Sequence, residues 1–370
     1  MNEHGARPAA RPVLVRIPVE PVEAAIEADA LDAASRNRLA VRGPLFGVAA
    51  RSEGDGQRWR VLVPITNGCP QQARDDLQSK LWFRAKDEAE TETERRALLG
   101  AVARLETGKP SEVEVLGTRY RVVRAEEYAG LDPEGAFELP RPTDPEPAVP
   151  DWARTAGAPK VDAGLVLDPD APVTPLQAAE MLTMRSFAYE GSRYPGDVLR
   201  DSARAVETHP DVMLLPAAFM IVERTGGERW EVGGALHATP HDARRSLDIS
   251  LTWLGPRQAG VIPLTADTDV DARSITAEGT HPALAEMRVL AEAADRLRAG
   301  RLNEVEAGGT AYRIARSRRL LRWGPDGPES QRPSDVTMVE PMALHPRLDA
   351  DGVVHNGEEG TRTEDTDAVR

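Results

Sequence analysis

The sequence predicts an α+β fold made of two tandem copies of a ββααββ unit. We expect each unit to be a mostly antiparallel four-stranded sheet with two helices packed on one face. The first observation is a repeat, because residues 94–124 and 286–316 are identical at 15 of 31 positions with a constant shift of 192. The second is the repeat's long period and its occurrence only twice, which indicates duplicated domains rather than a solenoid. The third is the order in which strand-like and helix-like periodicities follow one another in both copies.

Each unit begins with an extended pair. In the first copy "LAVRGPLFGVAAR" is followed by the turn "EGDGQ" and by "RWRVLVPI", whose alternate apolar residues favour a half-buried strand. The second copy has "VMLLPAAFMIVER", the turn "TGG", and Trp230 and Val232 in the matching strand. Both stretches predict the first two strands of a sheet.

Two helices follow in each unit. Ala243, Leu247 and Leu251 recur at helical spacing in the second copy, after Thr239 as a candidate cap. The first copy has the same pattern after Pro70. The second helix of each unit ends at a glycine, which is typical of a helix C-terminus.

A β-hairpin closes each unit. The stretches "EVEVLGTRYRVVR" (112–124) and "EVEAGGTAYRIAR" (304–316) keep their glutamates and arginines in place. A two-residue turn at Gly117-Thr118 would pair Glu114 with Arg121 on a solvated face. The same construction pairs Glu306 with Arg313. The other face is expected in the core and carries Val113, Val115, Tyr120 and Val122.

The pattern divides the chain into five segments. We expect a disordered N-terminal tail at 1–11 and a first α+β repeat at 12–139. A proline-rich linker is expected at 140–162. The second repeat, 163–342, carries insertions near 182–200 and 256–282, and an acidic disordered tail is expected at 343–370.

Composition narrows the functional classes. The net charge of −14 argues against nucleic acid and anionic membranes as partners, because binding to either usually requires excess positive charge. The single cysteine excludes an internal disulfide. The N-terminus lacks a secretory apolar segment, and no run of residues is long enough to span a membrane. We therefore expect a soluble cytoplasmic protein, without a cofactor or a metal.

Two arginines are candidates for ligand binding. Arg124 and Arg316 lie at equivalent places, at the open end of each hairpin and on its core face. Each could lay its stem over the rim of the core and expose its head to solvent. Alternatively, the two could form an anion-binding pair where the units meet.

Two histidines are also candidate ligands. His237 and His241 lie four residues apart in "HATPHD", a spacing that can hold a metal on one helix. His237, however, precedes the predicted cap Thr239, so the two should not share a helix. Polar surface residues at a helix start remain the simpler reading.

Three stretches of the chain resemble an uncharacterised actinobacterial family, known only as a domain of unknown function. They are "RGPLFGVAARSEGDGQRWRVLVPITNGCPQQARDDLQSKLWFRAKD", "GTRYRVVRAEEYAG" and "ETHPDVMLLPAAFMIVER". The resemblance extends over nearly the whole chain apart from its termini. It implies no activity, cofactor or catalytic residue.

No convergent set of catalytic residues is found. The sequence therefore favours a non-catalytic binding or scaffold protein with a possible protein partner. The alternative is a small-molecule enzyme or sensor with its site at the pseudo-twofold seam between the units. Its candidate residues are Arg124, Arg316, His237 and His241.

Overall fold

A computed structural model of the chain describes residues 8–36, 38–227, 229–278 and 283–355. Its helices are α1 (Pro21–Arg36), α2 (Pro70–Asp87), α3 (Glu92–Thr107), α4 (Pro175–Met184), α5 (Gly196–Thr208), α6 (Pro240–Ile249), α7 (Gly255–Gln258), α8 (Ala272–Glu278) and α9 (Leu284–Gly300). A π-helical turn, Ser250–Leu254, joins α6 to α7. No helix in the described ranges is long and apolar enough to cross a membrane.

The strands are β1 (Arg38–Ser52), β2 (Trp59–Asn67), β3 (Glu112–Val115), β4 (Thr118–Leu131), β5 (Val166–Leu167), β6 (Asp211–Thr225), β7 (Glu231–His237), β8 (Glu304–Ala307), β9 (Thr310–Gly324), β10 (Gly327–Pro328), β11 (Arg347–Leu348) and β12 (Val354–His355). Ten of them form one sheet in the order β5-β2-β1-β4-β9-β6-β7, with β3, β8 and β10 paired beside β4 and β9. Every named pair of strands is antiparallel.

This continuous sheet corrects the expectation of two separate four-stranded sheets. β4 and β9 are each longer than the strand they pair with in their hairpin, β3 and β8. Their second halves therefore remain free to pair with each other. They do so over 125–129 and 317–321. At the centre, Glu127 lies opposite Arg319, which is 192 positions later in the chain.

The helices α2, α3, α6 and α9 cover one face of the sheet. One core cluster joins α2 and α3 to β1–β4, with Phe46 and Leu77 fully buried. A second joins α6 and α9 to β6, β8 and β9, around Phe219 and Leu247. Both clusters follow the helical and strand periodicities of the sequence.

The hairpin register differs from the predicted one. Glu114 lies opposite Arg119 rather than Arg121, and Arg121 lies opposite Glu112. The turn is made by Leu116 and Gly117, both at positive φ, so it begins one residue earlier than predicted. A shift by two positions keeps every residue on its face, so Val113, Val115, Tyr120 and Val122 are buried as expected.

The second hairpin shows the same change. Arg313 lies opposite Glu304 rather than Glu306, and the turn is Gly308-Gly309. The predicted solvated position of the arginine is also wrong, since Arg121 is only 8% exposed.

Part of the expected C-terminal tail is packed. The described residues 343–355 lie against α2, where His345 stacks on Trp82 and Pro346 accepts a hydrogen bond from its indole. Leu348 joins the first core cluster. The tail expectation is therefore corrected for 343–355, while 356–370 and residues 1–7 of the N-terminal tail lie outside the described residues.

Candidate functional site

Two short segments with the same residue pattern, Glu-x-x-Arg-Pro-Thr/Ser-Asp, cross between the halves of the sheet. We call residues 138–144 the first clasp and residues 329–335 the second clasp. Each contains an ion pair between its glutamate and its arginine, with an N–O distance of 2.7 Å in both. In each, the aspartate accepts a hydrogen bond from the backbone N–H of that arginine.

The clasps exchange partners. The first clasp follows β4, yet the backbone N–H of Arg316 on β9 donates to the carbonyl of Glu138 at 2.8 Å. The second clasp follows β9, yet the N–H of Arg124 on β4 donates to the carbonyl of Glu329 at 2.9 Å. Each clasp therefore binds the strand of the other half.

The repeated arginines hold these crossings. Arg124 Nε donates to Asp335 of the second clasp at 2.9 Å, and Arg316 Nε donates to Asp144 of the first clasp at 3.1 Å. Arg121 and Arg313 donate to the carbonyls of Pro328 and Phe137, just before each clasp. These contacts explain why Arg121 is buried. The predicted pairing on a solvated face would have left it exposed.

One carboxylate caps the arginines around the second clasp. Glu126 Oε1 accepts hydrogen bonds from Arg124 Nη1 at 2.5 Å and from Arg332 Nη1 at 3.1 Å. Its other oxygen accepts from the hydroxyl of Tyr189 at 2.6 Å. Glu126 is 1% exposed. We call Arg124, Glu126 and Arg332 the capped site.

Tyr189 belongs to the insertion expected near 182–200. Its backbone N–H is fixed by the Ser202 hydroxyl of α5, and its ring packs against Phe187 and Tyr194. This segment thereby covers Glu126, while Arg124, Arg332 and Tyr189 line a cavity of about 320 Å³.

The equivalent place at the first clasp is open. Arg316 and Arg141 correspond to Arg124 and Arg332, but the position of Glu126 is occupied by Arg318. Arg318 Nη1 donates to Glu180 Oε1 of α4 at 2.8 Å. The carboxylate that Glu126 provides at the second clasp therefore has no counterpart at this position. We call Arg141, Arg316 and Arg318 the open site.

The open site lines a cavity of about 500 Å³. The cavity lies beside the first half of β6 and is roofed by residues 11–14, by α1 and by α4. This volume falls within the usual range for small-molecule sites. Apolar side chains form much of its wall: Leu14, Leu165, Leu167, Met181, Met213 and Leu215.

The pKa values of the two equivalent arginines are shifted in opposite directions. Burial acts to lower the pKa of Arg124, but the charges of Glu126, Asp335 and Glu329 outweigh it and raise the pKa above its ordinary value. Burial lowers the pKa of Arg316, and the attraction of Asp144 and Glu138 does not offset it. The charge of Arg141 acts in the same direction as burial. The open site keeps its two clasp acids but lacks the additional carboxylate that Glu126 supplies at the capped site.

Residues 20–338 match the family of unknown function DUF5954. The chain belongs to this family. No curated protein and no solved structure matches it. Membership in DUF5954 therefore places most of the chain in one family without assigning an activity.

The candidate arginines of this DUF5954 chain do not form one anion-binding pair. Arg124 is sequestered in the capped site at 2% exposure, whereas Arg316 lines the open cavity. Neither guanidinium group extends into solvent, because each donates to the aspartate of a clasp. The structure thus separates the two residues into two sites.

The candidate histidines lie apart from both sites. His237 ends β7, where burial lowers its pKa, and His241 is on the first turn of α6. His241 Nε2 lies 2.9 Å from the carbonyl of Asp151, and its ring meets Trp152 edge-on, so it anchors the proline-rich segment. Within the described ranges, no three His, Cys, Asp or Glu side chains are grouped to hold a metal ion.

The residues missed at the sequence level are those of the clasps. Arg141 and Arg332 stand in "ELPRPTD" and "ESQRPSD", which match at a shift of 191 rather than 192. The single-residue change of shift hides this correspondence, because Arg141 falls in the expected proline-rich linker whereas Arg332 falls in the expected second repeat. The difference between the two sites is nevertheless visible in the sequence. The constant shift of 192 aligns Glu126 with Arg318.

Proposed function

We propose that this protein is a non-catalytic binding protein whose ligand site is the cavity at the open site. The supporting observation is the cavity of about 500 Å³ beside the junction of β4 and β9, with guanidinium groups and apolar side chains in its wall. Such a mixture of apolar surface and a few polar groups is typical of ligand sites.

We further propose that the two halves arose by duplication of a ββααββ unit. The matching element order, the central pairing of Glu127 with Arg319 and the exchanged clasps support this origin. Duplication gives two equivalent sites, of which one can be filled for stability while the other is kept for a ligand.

The roof of the cavity provides a direct test. Ala30 of α1 lines the cavity, and Ala30→Trp would place an indole ring in it. Ala25 lies on an exposed part of the same helix, so Ala25→Trp is a matched control. A metabolite library is screened by thermal unfolding against the wild-type protein and both variants. A ligand at 100 times its Kd stabilises the fold by about 2.7 kcal/mol.

We expect at least one compound to stabilise the wild-type protein and the Ala25→Trp variant but not the Ala30→Trp variant. A library without any such compound would contradict the proposal that the cavity is a ligand site. Turnover of a compound that binds there would contradict the non-catalytic part and favour an enzyme.

A further inference from the structure

The capped site contains an internal carboxylate at the place where the open site has none. Glu126 joins the terminal nitrogens of Arg124 and Arg332 through a single oxygen. At the open site the corresponding arginines are Arg316 and Arg141, and the corresponding residue is Arg318. Glu126 is therefore an internal example of a carboxylate that bridges this pair of arginines.

Two arginines of the open site, Arg316 and Arg141, are held so that their terminal nitrogens remain available. Arg316 uses Nε for Asp144, and Arg141 uses Nε for Glu138. Among the described residues, neither Nη1 nor Nη2 of these two arginines has a hydrogen-bond partner. Both side chains line the cavity.

Four acids line the cavity and each accepts a hydrogen bond within the protein: Glu27, Asp168, Glu180 and Asp211. Glu180 accepts hydrogen bonds from the Tyr128 hydroxyl and from Arg318. Asp211 accepts from Arg185 and from the backbone N–H of Arg11. These carboxylates therefore do not cap the open pair as Glu126 caps its counterpart.

We propose that the cavity binds an organic carboxylate whose carboxylate group bridges Arg141 and Arg316 and whose apolar body lies along the cavity wall. Two guanidinium groups favour a carboxylate because the hydrogen bonds are charge-assisted. The leucine and methionine side chains beside them favour a hydrocarbon chain over a second charged group. This inference rests on the proposed function, since it assumes that the cavity is a ligand site.

Straight-chain probes test the carboxylate directly. The full-length protein is titrated calorimetrically with hexanoate, octanoate and decanoate, and with the alcohols and alkylammonium ions of the same lengths. We expect at least one carboxylate to bind at least about tenfold more tightly than its alcohol, since a hydrogen bond to a charged group is worth that factor or more. The ammonium ions should bind more weakly than the alcohols.

Two variants locate the carboxylate group. Arg141→Gln removes one arm of the bridge, and Arg318→Glu introduces the residue that the capped site has. Both should reduce carboxylate affinity at least about tenfold and leave alcohol affinity unchanged. Arg96→Gln, at an exposed ion pair on α3, is the control and should change neither. If Arg318→Glu fails to fold, Arg141→Gln and the comparison of probes on the wild-type protein still decide.

The outcomes separate this inference from the proposed function. Equal binding of carboxylates and alcohols, both lost in Ala30→Trp, would overturn the carboxylate inference and leave the cavity as a ligand site. Absence of carboxylate binding at millimolar concentration would overturn the inference. Whether the cavity binds any ligand would then still be decided by the library screen. Carboxylate binding that persists in both arginine variants would also overturn it.

Discussion

The capped site and the open site occupy equivalent places in the two halves but differ at one charged position. At the capped site, Glu126 accepts hydrogen bonds from two buried arginines, and Tyr189 covers the group. At the open site Arg318 takes the position of Glu126, and Arg141, Arg316 and Arg318 line the cavity of about 500 Å³. The same arginine pair is thus closed by an internal anion in one half, whereas in the other half it lines the cavity that we propose as a ligand site.

The largest effect is expected from removing the internal anion. Glu126→Gln leaves Arg124 and Arg332 buried with less compensating charge, and breaking such a group costs about 3–5 kcal/mol. Arg318→Gln at the open site should cost much less, because its surroundings include a cavity. Urea unfolding of both variants measures the comparison. Equal losses would show that the two sites do not differ as described.

The same comparison has a pH dependence. Burial acts to raise the pKa of Glu126, but the charges of Arg124 and Arg332 and the hydrogen bond from Tyr189 outweigh it, so the pKa lies below its ordinary value of 4.5. A carboxyl group with a lowered pKa contributes stability above pH 4.5 and loses it as the pH falls. The stability gap between the wild-type protein and Glu126→Gln should therefore narrow below pH 4.5. A gap that stays constant down to pH 3 would contradict this prediction.

The two tyrosines give the next effect. Tyr189→Phe removes a hydrogen bond to a buried carboxylate, which should cost about 1.5–3 kcal/mol. Tyr128→Phe removes the bond to Glu180 at the open site, where water in the cavity can replace it, so the cost should be roughly 1 kcal/mol or less. Chemical denaturation of both variants measures the two losses in the free energy of unfolding. A larger loss for Tyr128→Phe than for Tyr189→Phe would contradict this prediction.

The smallest effect concerns the hairpin turns. Leu116 is held at a φ of 51°, whereas the second copy has Gly308 at 59° in the same place. Side chains without local hydrogen bonding are disfavoured there, so Leu116→Asn should stabilise the protein by up to about 1 kcal/mol. Gly308→Leu should destabilise it by a similar amount. The midpoints of urea unfolding provide the measurement, and loss of stability in Leu116→Asn would show that Leu116 makes an apolar contact that outweighs the strain.

The sequence predicted the local elements well because they depend on periodicity and turn chemistry. The core face of Tyr120 and the helix start at Pro70 follow from nearby residues alone. The register failed by two positions because Leu116 occupies a left-handed turn position that propensity assigns to Gly or Asn. Local pattern therefore fixes which face a residue takes more firmly than which partner it meets.

The candidate site was only partly predictable, since its parts are distant in the chain. Arg124 and Arg316 were identified from the repeat, but Asp144 falls in the expected linker and Asp335 near the end of the expected second repeat. Nothing in the local sequence states that each segment crosses to the other half. The histidines were singled out by spacing alone, and His241 serves packing.

The exchange of the clasps also constrains how the chain is made. A growing polypeptide presents its N-terminal half first. At that stage residues 125–129 of β4 are an unpaired strand edge, and the partner of Arg124 at Asp335 has not yet been synthesised. Unpaired edges invite pairing with other chains. Because the contacts of the first half include residues as late as Asp335, we expect the two halves to fold together rather than one after the other.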